Sequence, residues 1–240
     1  MLNNLNIKCT LCGCAEVELQ DYKIRNITDD SCKMYKCKNC ETHFMYPLPS
    51  QDLSEYYDGI FREEVHTADY YDYTELDKVF NNFLSEAKLR TERVKNDLSV
   101  NDTILEIGSS VGYFTAAISD YAKDVYATEW DSKARAYIKD RLAKYNIHVA
   151  KNPEDFETKF DKIFMFHVLE HIEKPIDFLK NLKQLLNENG KIYIEVPNVD
   201  DVMLKTFRCR PFIEHYYKKA HIFNSVSYTH LRAHETDQYL

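Results

Sequence analysis

The chain has 240 residues, a formal net charge of −8 and 44% hydrophobic residues, enough apolar material for a sizeable core in one or two domains. A mean hydropathy of −0.53, with no apolar run approaching about 18 residues, argues against a transmembrane helix. The N-terminus lacks the basic and long apolar regions of a signal peptide, so we expect a cytoplasmic location. The acidic balance argues against a broad nucleic-acid or membrane-binding surface.

Six of the seven cysteines fall within the first 40 residues. Four of them form two C-x2-C pairs, a spacing typical of ribbons that offer four thiolates to one tetrahedral metal ion. A reducing compartment favours metal over disulfides. We therefore predict a zinc ribbon over residues 1–47, with a structural zinc held by Cys9, Cys12, Cys37 and Cys40.

The segment between the two cysteine pairs contains two short apolar stretches. Val17–Leu19 and Ile24–Ile27 are the predicted strands of a hairpin that fills this gap. Cys14 and Cys32 lie outside the C-x2-C pattern, and we expect each to be a small buried hydrophobic residue rather than a ligand.

A linker follows the ribbon, because Pro47 and Pro49 interrupt regular structure. The tyrosine-rich, acidic stretch Tyr56–Tyr73 suits a surface loop or a lid over a pocket. Over Glu75–Leu98 the apolar residues recur at the spacing of one helix face. Residues 48–99 are therefore predicted to form a lid or linker followed by a long helix.

From residue 100 to residue 226, short apolar runs alternate with amphipathic stretches, as a parallel α/β sheet requires. The predicted strands are Thr103–Ile107, Val125–Thr128, Ile147–Ala150, Ile163–Phe166 and Ile192–Val196. The predicted helices are Tyr113–Tyr121, Lys133–Tyr145 and Pro175–Leu186. Asn189-Gly190 is expected to stop the last helix.

The first strand of this domain ends in a turn that contains Gly108 and Gly112 and opens a helix. Glycine at the tightest points lets the backbone approach a ligand closely and aims helix N–H groups at it. The spacing is not that of the dinucleotide fingerprint G-x-G-x-x-G. Glu129 follows the second strand, where a carboxylate can accept hydrogen bonds from ribose hydroxyls.

Four motifs stand in order between Leu98 and Phe223: Leu105–Phe114, Ala127–Asp131, Phe160–Pro175 and Gly190–Asn198. Together they resemble class I S-adenosylmethionine (SAM)-dependent methyltransferases. The ribbon and the Tyr46-Pro-Leu-Pro-Ser50 segment resemble the small-molecule subgroup with an N-terminal zinc-binding domain, which includes C-methyltransferases of nucleotide-linked deoxysugars. The resemblance implies a Rossmann-like, mainly parallel sheet flanked by helices, with SAM as cofactor.

The resemblance also implies roles for individual residues. Glu106 would order the turn and approach the methionine amino group, and Glu129 would bind the ribose. Trp130 would lie against the adenine, and Ser110 replaces the central glycine of the family. The full set of implied cofactor-binding residues is Glu106, Gly108, Ser110, Gly112, Glu129, Trp130, Phe166 and His167.

One part of the implied site leaves alternatives open. An acidic residue often stands near the adenine amine in the family, and here Asn152, Asp155 or Phe156 could serve. Phe166 and His167 are implied to line the pocket between cofactor and substrate.

Histidine is the natural proton acceptor where the methyl acceptor is a weak acid. The catalytic candidates are His167 and His221. The resemblance implies that His167 lies nearest the cofactor and that the motif around His221 contributes to substrate handling. For Glu170 and His171 we expect a structural role, with hydrogen bonds that order their loop.

The end of the chain departs from the family pattern. Only 42 residues follow Asn198, and they contain no clear pair of strands, so the last two strands of the family sheet are expected to be missing. Residues 227–240 show no clean periodicity, and we treat them as a tail that is not native.

Three functions are consistent with these patterns. The leading one is a SAM-dependent methyltransferase that acts on a small molecule. The second is an RNA methyltransferase that uses the ribbon, since Lys33–Lys38 carries a small basic patch. The third is a truncated or non-catalytic zinc-binding interaction protein. The sequence carries no signal for the acceptor atom or for oligomeric state.

Overall fold

A computed structural model describes residues 7–27, 31–48, 58 and 75–226. The predicted lid over Tyr56–Tyr73, apart from Asp58, and the predicted tail lie outside these residues. In the part of the chain that is described, no helix is both long and apolar enough to cross a membrane.

The chain divides into two compact units that interleave along the sequence. The first contains the described residues of 1–50, 167–180 and 195–240, and the second those of 51–166 and 181–194. The four-segment division into residues 1–47, 48–99, 100–226 and 227–240 stays a prediction.

The first unit is built on an antiparallel sheet in the order β1-β2-β3-β9. Its strands are β1 (Val17–Gln20), β2 (Lys33–Cys37), β3 (His43–Tyr46) and β9 (Phe223–Asn224). In β3, Phe44 pairs with Tyr35 on one side and with Phe223 on the other. A strand near the end of the described chain therefore completes the N-terminal sheet.

The predicted hairpin in the ribbon is half wrong. Val17–Leu19 lies in β1, but the partner of β1 is β2 and not Ile24–Ile27. Ile24 is buried with Cys32, Met34 and other apolar side chains, so it contributes to the core instead of a ladder. Among the described residues of this segment, only Arg25 forms an isolated bridge, with Lys218.

The two cysteines outside the C-x2-C pairs differ in burial. Cys32 is buried, as expected of a small hydrophobic residue. Cys14 is only half-buried, and its sulfur receives the Glu16 backbone N–H at 3.4 Å. The prediction of a buried residue is therefore confirmed for Cys32 and wrong for Cys14, which lies at a turn.

The second unit contains a five-stranded sheet in the order β6-β5-β4-β7-β8. Its strands are β4 (Thr103–Ile107), β5 (Asp124–Thr128), β6 (Ile147–Ala150), β7 (Phe160–Phe166) and β8 (Leu186–Glu195). The ladders β4–β5, β4–β7 and β5–β6 are parallel. This mainly parallel α/β sheet is the predicted fold class.

The helices of the second unit are α1 (Leu76–Val94), α2 (Tyr113–Ile118) and α3 (Ser132–Arg141). The helix α4 (Pro175–Gln184) begins in the first unit and ends in the second, and two short helices, α5 (Val202–Lys205) and α6 (Arg210–Tyr216), belong to the first unit. From α1, Val79 and Phe80 pack against Val111 and Ile138. Ala87 lies two turns further along the helix and packs against Phe114 and β4, so one apolar stripe of α1 covers the sheet.

The last predicted helix is too long. It ends at Gln184 rather than Leu186, and β8 begins at Leu186, well before the predicted start at Ile192. The Leu185 carbonyl accepts the Phe160 N–H at 2.9 Å, so the chain has already joined the sheet there. Asn189, at a φ of 63°, therefore bends the strand and does not stop the helix.

Candidate functional site

The glycine turn after β4 lies close against the end of β5. The backbone N–H groups of Gly108 and Ser109 both donate to the Thr128 carbonyl, at 2.9 and 3.0 Å. Gly108, Ser110 and Gly112 have φ values of 71°, 51° and 77°, in the left-handed region that suits glycine. Ser110 therefore adopts the left-handed conformation of the turn at a cost in backbone strain that a glycine would avoid.

Glu129 holds this turn and the start of α3 at the same time. One carboxylate oxygen accepts the Ser110 N–H at 2.7 Å and the other accepts the Asp131 N–H at 2.9 Å. Arg135 donates to the carbonyls of Glu129 and Trp130, at 2.7 Å each. Glu129 therefore ties the glycine turn to the residue that caps α3.

Glu106 is a buried acid in the middle of the sheet. Its side chain accepts the Thr115 hydroxyl, and it is only 3% exposed. Burial raises the pKa of Glu106 to about 8, although the Thr115 hydrogen bond and the positive charge of Arg90 act in the opposite direction. The carboxyl is therefore mainly protonated at neutral pH.

Arg90 is a residue that the sequence interpretation missed. It is buried on α1, contacts Glu86 at 2.8 Å, and lies 4.6 Å from the centre of the Phe166 ring. Arg90 could have been found in the sequence because it lies three residues after Ala87, so a charged residue falls on the apolar stripe of the helix. The guanidinium of Arg90 therefore lies against the Phe166 ring and places a positive charge near Glu106.

The residues proposed for the adenine have different partners. Trp130 donates from Nε1 to the Asn152 side-chain oxygen at 3.3 Å. Asp155 accepts the Asn152 N–H at 2.9 Å and so caps its own turn, while the Phe156 ring packs edge-on against Tyr126. Of the three alternatives, the structure brings Asn152 to Trp130.

The four predicted zinc ligands meet at one point in the first unit. Their sulfur atoms all lie within 4.8 Å of one another, with Cys9 3.6 Å from Cys40 and Cys12 3.5 Å from Cys37. Disulfide sulfurs are separated by about 2.05 Å, whereas four sulfurs around a tetrahedral zinc at about 2.3 Å lie about 3.8 Å apart. The separations fit a metal site.

The two catalytic candidates approach the same carboxylate. His167 Nδ1 lies 3.3 Å from Glu170 Oε1, and His221 Nε2 lies 3.8 Å from that oxygen. Glu170 and then Glu195 raise the pKa of His167 to about 9. Burial lowers the pKa of His221 well below its ordinary value, with Lys218 adding to the effect. All five residues belong to the first unit.

The contacts that order the loop come from the Glu170 backbone and the His171 ring, whereas neither oxygen of the Glu170 side chain has a hydrogen-bond partner among the described residues. The Glu170 carbonyl accepts the Ile222 N–H at 3.0 Å, and His171 Nδ1 lies 2.6 Å from the Ala220 carbonyl oxygen. These two contacts join the turn after β7 to the segment before β9. The sequence placed Glu170 and His171 in a loop but did not bring them to His221.

A parallel sheet with a glycine turn after one strand and a carboxylate after its neighbour is typical of Rossmann-like folds that bind a nucleotide. Residues 73–234 match a family model described as a methyltransferase domain. That match covers more than half of the chain, so this chain belongs to the methyltransferase domain family.

Two curated relatives share a shorter region. A tRNA U34 carboxymethyltransferase of Campylobacter hominis is 28% identical over 106 residues, which are 40% of this chain and 36% of the relative. A probable S-adenosylmethionine-dependent methyltransferase of Mycobacterium tuberculosis is 26% identical over 98 residues, which are 40% and 35% of the two chains. The matched region is about a third of the length of these relatives.

Two solved structures share the fold. The plantazolicin methyltransferase BpumL, in complex with a substrate analogue and S-adenosylhomocysteine (SAH), has a TM-score of 0.54 and 19% identity over 78% of this chain and 74% of that chain. The YcgJ protein from Bacillus subtilis has a TM-score of 0.51 and 12% identity over 64% and 68% of the two chains. Both likenesses support the class I architecture.

Proposed function

We propose that this chain transfers the methyl group of SAM to a small-molecule acceptor, with nucleotide-linked sugars as the acceptor class. The observation that carries the proposal is the position of Glu129, whose carboxylate follows β5 and fixes the glycine turn through Ser110, because a carboxylate at this place can accept hydrogen bonds from ribose hydroxyls. SAM supplies an electrophilic methyl group on a sulfonium. The protein therefore has to align the reactants and, for a weakly acidic acceptor, remove a proton.

The residues of the second unit fit this cofactor. Ser109 Oγ is buried and has no hydrogen-bond partner among the described residues, so the turn retains a polar atom for a ligand. Glu129 would accept hydrogen bonds from the ribose hydroxyls. Trp130 would lie against the adenine, and Glu106 would face the methionine ammonium. Gly108, Ser110, Gly112 and Phe166 complete the proposed cofactor set.

Replacing Glu129 with alanine tests the cofactor site. We expect the affinity for SAH to fall by about 1.5–3 kcal/mol, the range for hydrogen bonds to a charged group, or about 10- to 150-fold in Kd. Titration calorimetry measures the change. The exposed Glu157 provides a control, because Glu157→Ala removes the same charge and should leave Kd unchanged. Equal affinity in both variants would remove Glu129 from the site.

The raised pKa of Glu106 leads us to expect that the protein releases a proton when it binds the cofactor. In the free chain its pKa is about 8, so at pH 7 the carboxyl holds a proton that a neighbouring methionine ammonium would displace. Binding of SAH should release up to about one proton, and affinity should rise with pH until about pH 8. Calorimetry in buffers of different ionisation enthalpy measures this release. Glu106→Gln should abolish it, and a buffer-independent enthalpy in the unchanged protein would contradict the proposal.

We propose that His167 and His221 are the catalytic residues that act on the methyl acceptor. Both lie within 4 Å of Glu170 Oε1, so the two imidazoles have one carboxyl group as a common neighbour. His167, next to Phe166 in the chain, also belongs to the proposed cofactor set. The assignment rests on this geometry and on the resemblance of the motifs that contain the two histidines.

We propose that Cys9, Cys12, Cys37 and Cys40 hold a structural zinc ion. Four thiolates complete a tetrahedral shell and leave no position for a substrate. Zinc would therefore stabilise the N-terminal sheet and take no part in methyl transfer.

RNA is the second candidate acceptor, and one observation favours it: the identity to a tRNA U34 carboxymethyltransferase. The net charge of −8 opposes it, because binding to phosphates relies on Lys and Arg. Transfer of a radioactive methyl group from SAM separates the candidates. We expect the label in small molecules of an extract. Label in tRNA, with binding that weakens steeply with salt, would establish the RNA function, and SAH binding without any transfer would favour the non-catalytic interaction protein.

A further inference from the structure

A second group of metal-ligating side chains lies in the first unit, apart from the four cysteines. It consists of Glu170, His171 and His221, each of which offers one ligand atom within 4.8 Å of the others. Glu170 Oε1 lies 4.0 Å from His171 Nε2 and 3.8 Å from His221 Nε2. One carboxylate oxygen and two imidazole nitrogens therefore converge.

The orientation of His171 is set by a contact behind the ring. Its Nδ1 lies 2.6 Å from the Ala220 carbonyl oxygen, and a carbonyl only accepts hydrogen bonds, so Nδ1 carries the proton. Nε2 then presents its lone pair toward Glu170. A ligand histidine held by a backbone carbonyl through its other nitrogen is the usual arrangement in metal sites.

Glu170 is a buried carboxyl group with few hydrogen-bond partners. Its side chain is 1% exposed, and neither carboxylate oxygen accepts a well-formed hydrogen bond from the described residues. A buried carboxylate is costly unless a cation or several donors stabilise it. The ring of His167, which is half exposed, lies 3.3 Å away.

We propose that Glu170, His171 and His221 bind a second zinc ion. Imidazole and carboxylate ligands suit zinc and related first-row ions, whereas magnesium and calcium prefer oxygen ligands alone. Ligand atoms about 2.1 Å from a tetrahedral ion lie about 3.4 Å apart, so the two separations from Glu170, 3.8 and 4.0 Å, need to close by only about half an ångström. Three protein ligands leave one position open, which would take the oxygen of water or of an acceptor.

The site is tested by counting zinc in the full chain after equilibration with zinc and removal of the excess. We expect two ions per chain. Glu170→Gln, which keeps the size of the side chain, and His221→Gln should each lower the count to one. The exposed His148, which stacks on Tyr126, provides the control, because His148→Gln should retain two ions.

Cobalt substitution identifies which ion is lost. The cysteine cluster gives a thiolate-to-cobalt charge-transfer band, and a site of nitrogen and oxygen ligands does not. The His221→Gln variant should keep that band, which shows that the first unit is folded, and should lose the remaining cobalt. One ion in the unchanged protein, or two ions in both variants, would overturn the proposal. The count requires no methyl transfer, so it fails or succeeds independently of the proposed reaction.

Discussion

Replacing Cys37 with serine is expected to release the ion from the cysteine cluster and to unfold the N-terminal sheet. Cys37 ends β2, is fully buried, and packs with Phe44, Ile222 and Phe223. Structural zinc contributes about 10–16 kcal/mol of apparent binding free energy in zinc-finger peptides, which exceeds the stability of a typical domain. Loss of one thiolate should therefore lower the zinc count by one and lower the Tm of the first unit.

The control for this variant is Cys209→Ser. Cys209 is half-buried and lies outside the cluster, so its replacement changes the same atom without removing a ligand. Metal analysis and thermal denaturation should not distinguish Cys209→Ser from the unchanged protein. If Cys37→Ser retains its full zinc content and its Tm, the four cysteines do not form the site.

Replacing Gly112 with alanine is expected to destabilise the second unit by about 2–5 kcal/mol, the sum of a left-handed backbone cost and overpacking. Gly112 has a φ of 77°, and an added Cβ would lie 2.9 Å from a methyl group of Leu142 and 3.0 Å from Ile138. Either α3 moves away or the turn changes its path. The affinity for SAH should fall together with stability, which denaturant unfolding and calorimetry measure.

Gly13→Ala separates the backbone cost of the substitution from the overpacking cost. Gly13 has a similar φ of 71°, but nothing lies within 4 Å of the position that its Cβ would occupy. The backbone cost is therefore matched, and the collision is absent. We expect a loss of only about 1 kcal/mol. An equal loss in both variants would show that packing against α3 does not shape the turn.

Local sequence patterns predicted the second sheet well. Thr103–Ile107 and Ile147–Ala150 match the observed strands at both ends, because each is a short apolar run between turn residues and helices. The glycine turn and Glu129 were found for the same reason, since each adjoins a strand end. Their assignment to a methyl donor required the order of four motifs, which no single turn supplies.

Long-range pairing was not predictable from local patterns. Ile24–Ile27 has the composition of a strand, yet β2 displaces it as the partner of β1. Arg90 is distinguished only by its place on an apolar stripe, and the convergence of Glu170 with His221 depends on contacts across about 50 residues. In each case the deciding interaction is tertiary and leaves no periodic signal in the sequence.

The pairing of β3 with β9 sets an order of events during synthesis. Phe44 and Phe223 are adjacent in the sheet, yet the ribosome adds the intervening residues, about 180 of them, over roughly 10–40 s at ordinary elongation rates. Until then β3 has an unpaired edge, which is prone to join other chains. Early zinc capture would hold the nascent ribbon in register during this interval, so metal starvation during expression should increase aggregation more than metal removal from the finished chain.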